Sequence, residues 1–163
     1  MSQFVLLEGV VTSILPMQSA SSLQFGCGLM FEIQNRNRER FQVVVSPDTY
    51  VYNQEPLRQG DPILAFYDSM APMPLIYPPQ YRAVAVVKNR DGQQAALDYF
   101  NTDLTNTDRT LQLTPSSFTS VALQNGQQFT GSLANRLLLA LYTVTTRSIP
   151  ARTTPSHIVV FCN

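Results

Sequence analysis

One pattern recurs at fixed spacing and restricts the fold more than any other feature of the chain. Ile63-Leu64-Ala65-Phe66-Tyr67 and the later Arg82-Ala83-Val84-Ala85-Val86 are echoed by Leu138-Leu139-Ala140-Leu141-Tyr142 and His157-Ile158-Val159-Val160-Phe161, both at an offset of 75 residues. Upstream, Val43-Val44-Val45-Ser46-Pro47 aligns with Leu111-Gln112-Leu113-Thr114-Pro115 at an offset of 68. The difference of seven falls around Asn125-Gly126-Gln127-Gln128 and predicts a lengthened turn there. Self-similarity of this kind marks a structural unit used more than once. The sequence therefore predicts two like β units, 1–89 and 90–163. Units of that size bury only about 60% of their unfolded surface and are marginal alone, which predicts rigid packing of one on the other.

The charge content points the same way. Charged residues are 13% of the chain, against roughly 25% in an ordinary globular domain, and Gln, Asn, Ser and Thr take their place. Eleven basic residues balance eleven acidic ones, so little repulsion holds copies apart and self-association is favoured. Steering of nucleic acid or of an anionic membrane needs a surplus of positive potential, which this composition does not supply. The start of the chain lacks the basic residues and apolar core of a secretory signal, and the longest apolar run, 137–142, is too short to span a bilayer. The expected compartment is the cytoplasm, with no membrane contact. There, Cys27 and Cys162, far apart and without metal-ligand spacing, are expected to be free, partly buried thiols, the alternative being a bridge that ties the end of the chain to its first half.

Residues 5–15 read as a long first strand, 19–28 as a small polar loop, and 29–33 and 41–45 as a hairpin around Asn35-Arg36-Asn37-Arg38-Glu39-Arg40. Ser46-Pro47-Asp48-Thr49 turns the chain, and Tyr50-Val51-Tyr52 resumes a strand. Pro72, Pro74, Pro78 and Pro79 exclude a helix over 70–79 and predict a stiff extended arm. Asn89-Arg90-Asp91-Gly92 predicts a tight hairpin at the unit boundary. Residues 132–141 carry a capping serine and good helix formers, but their repeat register predicts a strand over 137–143. Five short strands per unit and little helix predict an all-β protein of two tandem small Greek-key barrels of the OB type.

Ser46-Pro47-Asp48-Thr49, Leu57-x-x-Gly60-Asp61, Phe66-Tyr67-Asp68, Ile76-Tyr77-Pro78-Pro79-Gln80-Tyr81-x-Ala83 and Thr146-Arg147-Ser148-Ile149-Pro150-Ala151 resemble a group of uncharacterised bacterial proteins typical of clostridial genomes. The likeness covers the chain from about Gly9 onward and implies no known activity.

Catalytic patterns are absent from the sequence. His157 is the only histidine, and its repeat position is Arg82. Its neighbour Ser156 would point to the opposite face of a strand. No phosphate-binding or nucleophile-elbow motif occurs, and Asp48, Glu55, Asp61 and Asp68 are scattered over turns. Neither catalysis nor a cofactor or metal is expected. Pro78-Pro79-Gln80-Tyr81 matches a string read by proline-recognition domains, yet it leads straight into a predicted strand. The expected contact surface is the pair of proline-containing arms, with Tyr77, Gln80, Tyr81 and Arg82 in one and Arg147 and Arg152 in the other. The expected partner is a second copy of the chain, or another protein or an uncharged glycan. The nucleic-acid alternative would use Arg36, Arg38, Arg40, Tyr50, Tyr52 and Arg90, aromatics and cations being what single strands require.

Overall fold

The computed structural model describes residues Ser2 to Cys162. The chain is all-β. It divides into two compact units, one of Phe4–Arg90 and one holding the residues from Asp91 onward together with Ser2 and Gln3.

The first unit contains β1 (Phe4–Pro16), β2 (Leu29–Gln34), β3 (Arg40–Val45), β4 (Tyr50–Val51), β5 (Pro62–Asp68) and β6 (Gln80–Lys88). β1 has two partners in succession: Phe4 to Val10 pair with β5, and Val10 to Pro16 pair with β2. The change of partner depends on Gly9. A Cβ there would run into the Ile33 side chain and lie 2.7 Å from the Gln34 carbonyl oxygen, so no other residue fits so close an approach. A bulge follows between Val11 and Ser13, and the hydroxyl of the intervening Thr12 donates to the Glu32 carbonyl. β3 and β6 then pair in parallel, from Gln42 with Gln80 to Val44 with Arg82. That contact closes the order β3-β2-β1-β5-β6 into a five-stranded barrel. Alternation along each strand turns Val11, Phe31, Ile33, Phe41, Val43, Ile63 and Ala65 into its core.

The second unit contains β7 (Gln94–Phe100), β8 (Leu111–Leu113), β9 (Ser120–Leu123), β10 (Arg136–Tyr142), β11 (Ala151–Thr153) and β12 (His157–Phe161). β7, β10, β12 and β9 form one sheet, and β8 pairs in parallel with β11. Single bridges, Phe100 with Asn106 and Thr105 with Gln112, carry the connection from β7 to β8. The core is Phe100, Leu111, Leu113, Leu138, Ala140, Ile158 and Val160.

β10 is a strand although its residues favour a helix. Leu137 to Leu141 are buried on both faces and hydrogen-bonded on both edges, to β7 and β12, so tertiary context overrides propensity. The Ser132 hydroxyl accepts from Ala134 N in a local turn, and Asn135 at φ 59° breaks the chain direction before the strand starts.

Several local features recur between the units, in a register that corrects the sequence alignment. Inward-facing Val43 pairs with Tyr81, and inward-facing Leu113 pairs with Thr153. Ser46 N donates to Thr49 Oγ1, whose hydroxyl donates to Ala83 O at 2.8 Å, while Ser116 N donates to Thr119 Oγ1, whose hydroxyl donates to Pro155 O at 2.7 Å. These like contacts are 70 residues apart, where the sequence alignment has 68. Facing and pairing keep the offset at 75 from β5 to β10, where Ile63 opposite Lys88 matches Leu138 opposite Val160, and at 72 from β6 to β12. On that correspondence the segment before β10 is five residues longer than its counterpart, not seven, and the second arm three residues shorter. Repetition of small apolar residues at either parity of a strand hid the shift.

Two further expectations are corrected. Tyr52 leaves the strand and opens a 3₁₀ turn, Tyr52–Gln54, in which Asn53 takes φ 57°. Asn89-Arg90-Asp91-Gly92 makes a turn with Gly92 at φ 75°, but the strands it joins lie in different sheets, so it is not a hairpin.

Candidate interaction surface

The pairing register builds one outward face across β2, β3 and β6. Glu32, Gln42 and Gln80 share a row, Met30, Val44 and Arg82 the next, and Gln34 and Arg40 a third. Gln80 Nε2 donates to Met30 Sδ at 3.6 Å, Thr12 Oγ1 donates to Glu32 Oε1 at 3.2 Å, and Arg40 Nη1 stands 3.9 Å from the same carboxylate oxygen. In the second unit the equivalent parallel pair sets Gln112 beside Arg152, with Gln112 Nε2 donating to Asp103 O at 3.1 Å. Gln80 and Arg152, assigned to one surface from sequence, therefore occupy matching positions in their units.

Two connections flank the first-unit face. Residues 17–28 join β1 to β2, and 69–79 join β5 to β6. Both are free of charged residues, and they present Leu23, Phe25, Met70, Leu75, Ile76 and Tyr77 as exposed side chains, Leu75 completely and Tyr77 at 89%. The backbone of the first connection is held by its own hydrogen bonds: Met17 N to Gly28 O, Gly26 N to Met17 O, and Phe25 N to Ser21 O. The second enters β6 through a cis Tyr77-Pro78 bond, and Pro79 O accepts from Gln42 N at 2.7 Å. The first connection rejoins the sheet at Leu29, opposite Val45, and the second at Gln80, opposite Gln42, so the two bound the outward face from its two ends, and the Gln80 side chain crosses it to Met30.

The second-unit arm, 143–150, also ends in a cis bond, Ile149-Pro150. Its chemistry differs. Thr146 N donates to Arg152 O, Arg152 N to Thr146 Oγ1, and Thr153 Oγ1 to Val144 O. Arg147 is exposed in this hydroxyl-rich loop, between exposed Val144 and Ile149.

The other sequence candidates separate. Tyr77 is exposed, but Tyr81 packs toward the core, its ring 4.5 Å from that of Tyr67 and edge-on to Phe41 at 6.1 Å. Gln80 and Tyr81 of Pro78-Pro79-Gln80-Tyr81 therefore belong to β6, and the tyrosine is not displayed for recognition. Arg82 is exposed on β6. Arg36 and Arg38 are exposed at the β2–β3 tip, with Arg38 at φ 63°. Tyr52 is only 8% exposed and offers no face for stacking a base. Burial raises the phenol pKa of Tyr50, Tyr52 and Tyr142, and that of Tyr67 with a further contribution from Tyr81. Arg90 is held by Glu55 in a two-pronged ion pair at 2.9 and 2.7 Å. That hydrogen bonding lowers the Glu55 carboxyl pKa and raises that of the guanidinium.

His157 Nδ1 lies 3.0 Å from Ser156 Oγ, whose hydroxyl donates to Leu141 O. The pair ties β12 to β10. Cys27 and Cys162 are free and, contrary to expectation, exposed. Among the described residues no cluster of three metal-ligating side chains occurs, and no helix is long and apolar enough to cross a membrane.

The first connection was missed from sequence because Ser, Gln and Gly mark it as an ordinary polar loop. The available signal was the joint absence of charge from 17–28 and 69–79. No family model, curated protein or solved structure matches the chain.

Proposed function

We propose that this chain is a duplicated OB-like unit serving as a non-catalytic assembly module, which associates with further copies of itself through the first unit's connections 17–28 and 69–79. The carrying observation is the set of large apolar side chains displayed there without one charged residue among them. Large exposed apolar side chains gathered on charge-free segments favour interaction with a partner surface. Burying six such side chains supplies about 10 kcal/mol, comparable with the association cost of about 4–15 kcal/mol. Binding is then reversible and concentration-dependent. Balanced charge adds no repulsion between copies. The test is light scattering across a wide concentration range: the weight-average mass rises above 18.2 kDa, and a strict monomer at high concentration rejects the reading.

A second reading is favoured by the amide row Glu32, Gln42 and Gln80 with Arg82 beside it: binding of an uncharged glycan across β2, β3 and β6. Salt-insensitive binding on a glycan array, lost in Gln42→Ala with Gln80→Ala, supports it. Nucleic-acid binding is the weaker alternative, because Arg90 and Arg40 face carboxylates and Tyr52 is buried. Steeply salt-dependent binding to single strands would reverse that order.

A further inference from the structure

We infer that Asn125 is a site of spontaneous deamidation that the fold slows without preventing, so that its conversion to aspartate and isoaspartate follows the opening of one surface turn. Asn125 is the one asparagine followed by glycine; those before it and Asn135 precede Arg, Gln or Thr. A glycine has no side chain to crowd its own nitrogen, and at Gly126 nothing stands within 4 Å of where a Cβ would be.

The chemistry needs only water. The Gly126 amide gives its proton to a base in solvent, and its nitrogen attacks Asn125 Cγ. The new N–Cγ bond closes a succinimide ring as the Cγ–Nδ2 bond breaks, and the departing nitrogen takes up a proton to leave as ammonia. Water then opens the ring at either carbonyl. One opening gives aspartate; the other gives isoaspartate, which carries the main chain through an extra carbon.

The turn opposes both movements of the first step. Leu123 N donates to Gln127 O at 2.7 Å and Phe129 N to Val121 O at 3.1 Å, around an antiparallel bridge of Ala122 with Gln128. Between these segments Gly126, at φ 85°, donates its amide to Leu123 O at 2.9 Å and closes a short hairpin loop. The proton that must leave is the one this bond holds. Asn125 Oδ1 accepts from Gln127 N at 3.1 Å, which restrains the side-chain amide that must swing toward Gly126. Yet residues 124–128 are all exposed. Hydrogen bonds at such a tip contribute little net free energy, and turns of this kind open locally without global unfolding. Two such bonds slow the reaction by about tenfold relative to the unfolded chain. The products alter the surface unequally. Aspartate adds a negative charge to a balanced chain but keeps an acceptor for Gln127 N, whereas isoaspartate lengthens the loop and takes Gln127 out of register with Leu123.

The test incubates the intact chain in mildly alkaline buffer, native and in concentrated urea, and follows its peptides by mass spectrometry after a separation that resolves aspartate from isoaspartate. The expected result is a gain of one mass unit, first in the peptide holding Asn125, as both products, and about tenfold slower in the native chain than in urea. The gain is absent from that peptide in Asn125→Gln. A native chain that reacts as fast as the unfolded one overturns the protection assigned to the turn. No gain at Asn125 in the native chain, or an earlier gain at another asparagine, overturns the site itself.

Discussion

Both units contain a parallel strand pair, β3 with β6 and β8 with β11, but only the first closes a barrel, and the two are reached by different means. In the first, three full strands, β1, β2 and β3, lead there through backbone ladders, with Gly9 admitting the close approach of β2. In the second, the ten mostly polar residues 101–110 stand between β7 and β8 without a strand. Their turns are held by side chains: Asn101 Oδ1 accepts from Asp103 N and Thr105 N, and Asn106 Oδ1 from Thr110 N and Leu111 N. The position matching Gly9 is Asp98, only 3% exposed, whose carboxylate accepts from Tyr99 N, Thr107 N and the Thr107 hydroxyl. A short polar connection thus does with Asx-type turns what a longer chain does with a strand. Its cost is dependence on a single buried carboxylate.

The largest expected effect follows from that dependence. Asp98→Ala leaves buried donors without acceptors and should lower stability by about 3 kcal/mol, read as a reduced urea midpoint; a loss below a tenth of that would deny the carboxylate its role. Gly9→Ala should cost about 2 kcal/mol through overpacking against Ile33 and Gln34, and an unchanged midpoint would show that β2 can move aside. Thr49→Val and Thr119→Val remove the same hydroxyl bond from the two units and should each cost about 1 kcal/mol. Clearly unequal losses would break the equivalence drawn between the two turns.

The smallest effect is electrostatic. Glu55 has its pKa lowered by Arg90, so the pair contributes stability above the unfolded glutamate pKa, and this is lost as pH falls through the lowered folded value. Both side chains meet solvent and screening keeps the contribution small. Arg90→Ala should therefore show a slightly weaker acid dependence of the midpoint than wild type, the small difference between the two being present from neutral to alkaline pH and vanishing as pH falls through the folded Glu55 pKa.

Strands and the arm were legible because their signals are local: alternating Val, Ile and Phe for β2 and β3, and four prolines in 70–79. The repeat also overruled the helical look of 132–141, since burial on two faces is a tertiary property that only the matching β5 revealed. Register was not legible. Ala85, Val86 and Val87 are all apolar, so a three-residue shortening of the arm leaves no trace in the pattern. The engagement of candidate site residues was equally hidden. Nothing in the sequence pairs Arg90 with Glu55 across 35 positions, or packs Tyr81 on Tyr67. Arg82, Arg147 and Tyr77 are exposed because arms and outward strand positions face solvent.

The same contrast between units decides the functional claim. Leu75→Ser with Ile76→Ser alters the charge-free arm of the first unit, and Val144→Ser with Ile149→Ser alters exposed apolar residues of the second. Light scattering of the two variants beside the wild-type chain, at a concentration where the latter associates, is the most direct measurement. The account predicts a monomer of 18.2 kDa for the first variant and wild-type association for the second. Association that survives the first pair of substitutions and disappears with the second would contradict it.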